Sequence, residues 1–178
     1  MANCPPKTPP TGCLDVTIQE SIILPNFNVQ NSYNTFTVCG INNYVTRTEV
    51  IDYQWSGSGI GIISFVASKS QQTPGSFVND DVKYIRITNF PTSDTFASIY
   101  CIKTNQESVV FKVDPGKSLI LSNDDFDASS TQDYVDETYG DQQYFADFVY
   151  MNEIKAKAGN NNATYTGSIQ IEYVVASS

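Results

Sequence analysis

Four thiols, 19 carboxylates and no imidazole bound the chemistry open to this 178-residue chain. Without histidine there is no Ser-His or Cys-His nucleophile, no His-ligated zinc and no imidazole pH switch. Any enzyme here has to work with carboxylates, lysine, tyrosine or a thiol. The carboxylates cluster: eight of the 19 lie between Asp124 and Asp147, in SNDDFDASSTQDYVDETYGDQQYFAD. Asp124, Asp125 and Asp127 supply hard oxygen donors of the kind Ca²⁺ gathers. The calcium-loop template D-x-[DN]-x-[DN]-G is absent, however, and no Glu closes the loop at the right distance. The stretch reads instead as a solvated acidic excursion, or one that meets basic residues of a partner. Two carboxylates hydrolyse a glycoside only when fixed several ångströms apart across the substrate, which one polar excursion does not do.

The thiols are Cys4, Cys13, Cys39 and Cys101, too sparse for a disulfide scaffold and without a C-x-x-C pair for zinc. Cys4 and Cys13 flank a Pro-rich stretch of eight residues. A bridge between them is one option and would stabilise by roughly 2–3 kcal/mol through loop closure; two free thiols are the other. Cys101 lies between Tyr100 and Ile102 in a strand-like run and reads as a buried thiol acting as a small hydrophobe. The glycines of GSGIG are followed by neither Lys-Ser nor Lys-Thr nor a helix pattern, so they form no phosphate loop. Trp55, with Tyr53 on the same strand face, is either a sugar-stacking platform or core, and core is the reading adopted. Asn162-Ala163-Thr164 fits the glycosylation acceptor pattern but means little beyond a surface turn.

The charge balance narrows the partners. A net charge of −9 and a pI near 4.2 repel phosphate, so neither nucleic acid nor an anionic membrane surface is expected. Charged residues make up only 16% of the chain, while Tyr and Phe together number 21. That surface suits a protein packed among neighbours as well as an ordinary β-sandwich. MANCPPKTPPTGC has no apolar stretch of signal-peptide length, and no run approaches a membrane span, so synthesis in a cytoplasm is expected.

The elements that must position these groups are strands. Residues 1–13 form an extended arm, because four of the eight prolines lie in the first ten positions and remove backbone donors. From Leu14 onward, LDVTIQ alternates apolar and polar residues, and SIIL follows. PNFNVQNSYN is a loop by composition; TFTVCG, YVTRTEVIDYQW and Ile62–Ala67 are further strands. SKSQQTPGSFVNDD is again a loop. VKYIRITNF, TFASIYCIKT and SVVFKVDPGKSLIL then follow almost without interruption. In the first of these, Ile85 and Ile87 point one way and Arg86 and Thr88 the other. FVYMNEIKAKA and TGSIQIEYVVA close the chain, and no helix is expected. Strands about every ten residues predict one all-β domain over 14–178, an antiparallel sandwich of jelly-roll type.

The succession GSFVNDDVKYIRITNF, ESVVFKVDPGKSLILSNDDFDA and FVYMNEIKAKAGNNNATYTGSIQIEYVVAS resembles small β-rich virion proteins of tailed bacteriophages, marine ones especially. It covers residues 75–178, with a "YIRITN" strand, a "V-x-x-G-x-S-x-x-L" turn at Val113–Leu121 and an "I-x-A-x-A" strand at Ile154–Ala158. The resemblance implies a capsid- or tail-associated structural role in a multimer, without catalysis, and carries no functional residue over. The expectation is a head decoration or cement protein of the virion, assembled in the host cytoplasm and bound to the major capsid protein or other virion proteins. Self-association is expected too, with a trimer around local threefold positions as one arrangement. No catalytic, cofactor-binding or metal-ligating residue is assigned. Partner contacts are expected from the arm, at Cys4, Pro5, Pro6, Pro9, Pro10 and Cys13, and from Asp124, Asp125 and Asp127. A tail, connector or fibre location, or a carbohydrate-binding adhesion module, is the alternative.

Overall fold

Most inward-pointing residues of the two larger sheets are apolar, and those sheets close face to face over them. The computed structural model describes residues 12–23, 29–53, 59–122, 148–159 and 167–178. Eleven strands occur among them: β1 (Gly12–Ile23), β2 (Val29–Ile41), β3 (Asn43–Asp52), β4 (Ile60–Val66), β5 (Ser76–Val78), β6 (Val82–Asn89), β7 (Ala97–Lys103), β8 (Ser108–Val113), β9 (Ser118–Ser122), β10 (Met151–Ala158) and β11 (Ser168–Ser177). Three single 3₁₀ turns, at Lys69–Gln71, Asn79–Asp81 and Phe148–Tyr150, are the only helical pieces among the described residues.

One sheet has the order β5-β4-β10-β7-β8 and the other β3-β11-β6-β9. Every pairing is antiparallel except β4 with β5. Read outward from the β7–β8 turn, the chain pairs β7 with β8, β6 with β9, β4 with β10 and β3 with β11. It is thus one long double-stranded hairpin, rolled so that β11 also pairs with β6 and β10 with β7.

Ile169, Ile171, Tyr173 and Val175 of β11 and Ile85 and Ile87 of β6 face Ile63, Phe65, Ile99, Cys101, Ile154 and Ala156 of the other sheet. Phe148 stacks on Phe65 with ring centroids 6.3 Å apart. The alternation expected for Ile85 and Ile87 against Arg86 and Thr88 holds: both isoleucines are buried, while Arg86 and Thr88 are half-buried on the outer face.

Several local expectations are corrected. SVVFKVDPGKSLIL is two strands, because Pro115-Gly116 carries the chain from one sheet to the other; Gly116 sits at φ +77°, a backbone that glycine adopts without strain. Gly116 donates its N–H to the Asn89 carbonyl at 2.7 Å, and Lys117 receives the Asn89 N–H at 3.0 Å. The stretch taken as a loop after Ala67 contains β5, whose Ser76, Phe77 and Val78 are buried. The stretch PNFNVQNSYN is strand from Val29 onward. Strand structure begins at Gly12 rather than Leu14, so Gly12 and Cys13 belong to β1 and not to an arm. Cys4, Pro5, Pro6, Pro9, Pro10, Trp55, Asp124, Asp125, Asp127 and Asn162-Ala163-Thr164 lie outside the described residues.

Candidate interaction surface

β1 and β2 form a two-stranded ribbon of their own, in register from Gly12↔Ile41 to Ile23↔Val29. Twelve residues of strand run about 40 Å. A free two-stranded ribbon is marginal in water, so the attachment of this one matters. On one ribbon face Leu14, Val16, Phe36 and Val38 form an apolar set that packs with Ile41 against Tyr84, Ile120, Val174 and Ala176. These four belong to the outer face of the β3-β11-β6-β9 sheet. The C-terminal half of β11 is therefore buried on both faces, by the core on one side and the ribbon on the other. Val38 is only 1% exposed.

The other ribbon face is a ladder of polar pairs. Thr37 donates to Asp15 Oδ1 at 2.6 Å, the Thr17 and Thr35 hydroxyls meet at 3.1 Å, and Gln19 donates to the Tyr33 hydroxyl at 3.5 Å. Each pair is directly opposite in the register. The ladder starts at a disulfide between Cys13 and Cys39. That bond answers the question left open for Cys13: it does not pair with Cys4. Antiparallel pairing places Cys39 opposite Cys13 with 4.1 Å between their Cα atoms, close enough to bridge across the ribbon.

Beyond Val16 and Phe36 the support ends. The described side chains of Thr17, Ile18, Gln19, Ser21, Asn31, Ser32, Tyr33, Asn34 and Thr35 are exposed on both faces, with Tyr33 at 65%. Each ribbon strand pairs only with the other among the described residues, so its outer edge carries unpaired N–H and C=O groups. Glu20, opposite Ser32 in the register, is the one charged residue along this free stretch and no proline falls in it, so the usual guards against edge pairing are sparse here. Chemically, this is a projecting β-edge with a single charge, Glu20, that a neighbouring chain can extend.

Under the ribbon root, Arg86 pairs with Glu172 at 2.5 Å, and both are partly exposed. Burial raises the Tyr84 phenol above its ordinary pKa; Arg86 draws it back and Tyr44 adds to the rise.

A second feature lies where the two sheets part, beside β3. Val45, Arg47, Glu49 and Ile51 share the inward phase of β3, and Arg47 faces Tyr173 across the β3–β11 pairing. Burial raises the Tyr173 phenol above its ordinary range, partly offset by a hydrogen bond from Arg47 and by its charge. A groove of about 420 Å³ opens on one side of Arg47, between β3 and the turn entering β5. On the other side lies a smaller cleft, of about 290 Å³, that holds Glu49 and Glu153.

Of the residues singled out from the sequence, Cys13 stands at the ribbon root and Cys101 is fully buried in the core. Tyr53 packs half-buried against that same core. Neither Arg47 nor the free half of the ribbon was found by sequence reasoning. No cluster of three or more His, Cys, Asp or Glu side chains with metal-binding geometry occurs among the described residues. No family model and no curated protein matches the chain.

Proposed function

We propose that the chain is a bacteriophage virion structural protein, a head decoration or cement protein that binds the outer capsid lattice and stabilises the shell. The observation that carries this reading is the projecting ribbon, stapled and packed at its root and mostly polar and neutral where it is free. A stiff arm of that kind reaches a neighbour, and its open edges offer main-chain pairing that side-chain sequence need not specify. The strand order supports the same reading. We read β3-β11-β6-β9 opposite β4-β10-β7-β8 as a jelly roll, an architecture that recurs in viral capsid and lectin domains. The likeness of residues 75–178 to small phage virion proteins points the same way.

The mechanism is interfacial. A rigid sandwich spans neighbouring major capsid subunits, the ribbon adds contact area, and binding only to the assembled lattice favours that state by mass action. The Pro-rich segment from Cys4 to Cys13 and the acidic stretch at Asp124, Asp125 and Asp127 are part of the same proposed contact set. Self-association around a local threefold axis fits one shared lattice site per three copies.

The test is to find the chain in purified particles by mass spectrometry and locate it in a cryo-EM map. Particles stripped of it should release DNA at a lower temperature, and adding the pure protein back should restore them. Recovery only from infected-cell lysate, never from particles, ends this reading. A tail, connector or fibre location, or an adhesion module binding carbohydrate, is the second reading; the groove beside Arg47 favours it.

A further inference from the structure

Arg47 occupies a position that packing alone does not explain. It sits in the inward phase of an edge strand, where Val45 and Ile51 pack toward the core. No carboxylate among the described residues lies within ion-pair distance of it, although the chain carries a net charge of −9. It lies opposite Tyr173 in the register, and one phenol hydroxyl engages little of a five-donor fork. An inward charge also discourages edge-to-edge pairing, and that is the plain structural role open to Arg47.

The groove beside it has more structure than that role needs. Val45 and Phe77 supply apolar surface, Asn43, Gln72 and Thr73 supply neutral donors and acceptors, the last two braced by hydrogen bonds to the buried Ser76, and Lys69 stands with Arg47 along the lining. Lys69 already has Asp81 at 3.3 Å, so Arg47 is the cation left to a ligand. Gly75 faces the guanidinium at φ +92°; a Cβ there would lie 3.7 Å from Nη1 and 4.0 Å from Nη2. The missing side chain keeps that flank open. Glu49 and Glu153 lie in the cleft on the other side, so the larger groove contains no carboxylate of its own.

We propose that this groove binds a carboxylate-bearing saccharide. Arg47 takes the carboxylate through paired N–H donors, the amides and hydroxyls of Asn43, Gln72 and Thr73 take sugar hydroxyls, and Val45 meets the sugar C–H face. A volume of about 420 Å³ holds one or two sugar rings at the small end of ligand-site sizes. The inference is separate from the shell reading: failure of one leaves the other standing.

The experiment is a titration of the ¹⁵N-labelled full chain with glucuronate and, in parallel, glucose. Glucuronate should shift the amides of residues 43–47 and 72–77 saturably, with glucose at least about 10-fold weaker. Arg47→Gln should lose the glucuronate response at unchanged Tm. Arg47→Lys, which keeps the charge and loses the fork, should weaken it several-fold and decides the matter if the glutamine variant does not fold. No saturable shift with glucuronate, an equal response to glucose, or full binding by either variant overturns the proposal. So does a Glu-rich peptide that binds at these amides more tightly than glucuronate.

Discussion

Cys13 and Cys39 stand opposite each other at the root of the ribbon, bonded, one residue from Leu14 and Val38, which attach it to the sheet. Their bond closes a loop with a sequence separation of 26, worth about 3–4 kcal/mol in the loop-closure account. Reduction, or Cys13→Ser with Cys39→Ser, should therefore loosen the ribbon before the sandwich. Hydrogen exchange is the measure: amides of β1 and β2 should exchange faster on reduction, while those of β6 and β11 keep their protection. Peptide mapping without reductant should recover a linked Cys13–Cys39 fragment. A fragment linking Cys4 to Cys13 would contradict the strand register itself.

Val38 is the buried peg of that attachment, packed among Tyr84, Val174 and Ala176. Val38→Ala should cost about 1.5–3 kcal/mol, the range for removing buried methyl groups. The loss should fall on ribbon docking, since Val38 does not touch the main core cluster. Ile171→Ala, in the main core, should cost about 2–5 kcal/mol and lower the melting temperature of the whole domain. If both variants lowered that temperature equally, ribbon and sandwich would be one cooperative unit and the projecting arm would be stiffer than drawn.

The strands that bury one face were legible because burial imprints a period of two. LDVTIQ, VKYIRITNF and the final SIQIEYVVA all show it, and all are strands. Val29–Asn34 showed nothing, because Asn31–Asn34 are exposed on both faces and no described residue there demands apolar neighbours; the polar composition resembles that of a loop. β5 was missed for a related reason, three buried residues being too few to show a period. The sequence offered Cys13 only Cys4 as a neighbour and left the bridge open, because the pairing follows the register of β1 with β2, which sequence proximity does not show. Arg47 did leave a signal. Val45, Arg47, Glu49 and Ile51 alternate in the core phase, and charges in that phase mark either a guarded edge or a site.

Cys101 is fully buried, and desolvation pushes its thiol from 9.0 up to about 12. The folded-state value is raised, so the unfolded chain loses its thiol proton first as pH rises. Stability from this group is complete below about pH 9 and is lost progressively as pH approaches 12. At about 1.4 kcal/mol per unit, the loss across that window is on the order of 4 kcal/mol. Cys101→Val should flatten the alkaline limb of urea melts taken from pH 8 to 11. The native protein should also leave this thiol unreactive toward a disulfide reagent at pH 8 until denaturant is added. Rapid labelling of Cys101 in the folded state would show the burial to be wrong.

Asn89 ties three elements with one amide. Fully buried at the end of β6, it donates Nδ2 to the Thr95 carbonyl at 3.1 Å and to the Val113 carbonyl at 2.9 Å. It thereby holds the end of β8, in the opposite sheet, and the approach to β7. Asn89→Ala leaves two buried carbonyls without a donor and should cost about 2–4 kcal/mol. Asn89→Asp should be worse at pH 7, because a carboxylate then faces those same carbonyls with no proton to offer. Burial raises the pKa of such a carboxyl, so its protonated form recovers one O–H donor as pH falls. The aspartate variant should therefore gain on the alanine variant toward pH 4 in urea melts, the recovery being complete only below the unfolded value of about 3.9. A gap between the two that stayed constant with pH would mean that the Asn89 amide is not aimed at those carbonyls, and that the tie between the sheets lies elsewhere.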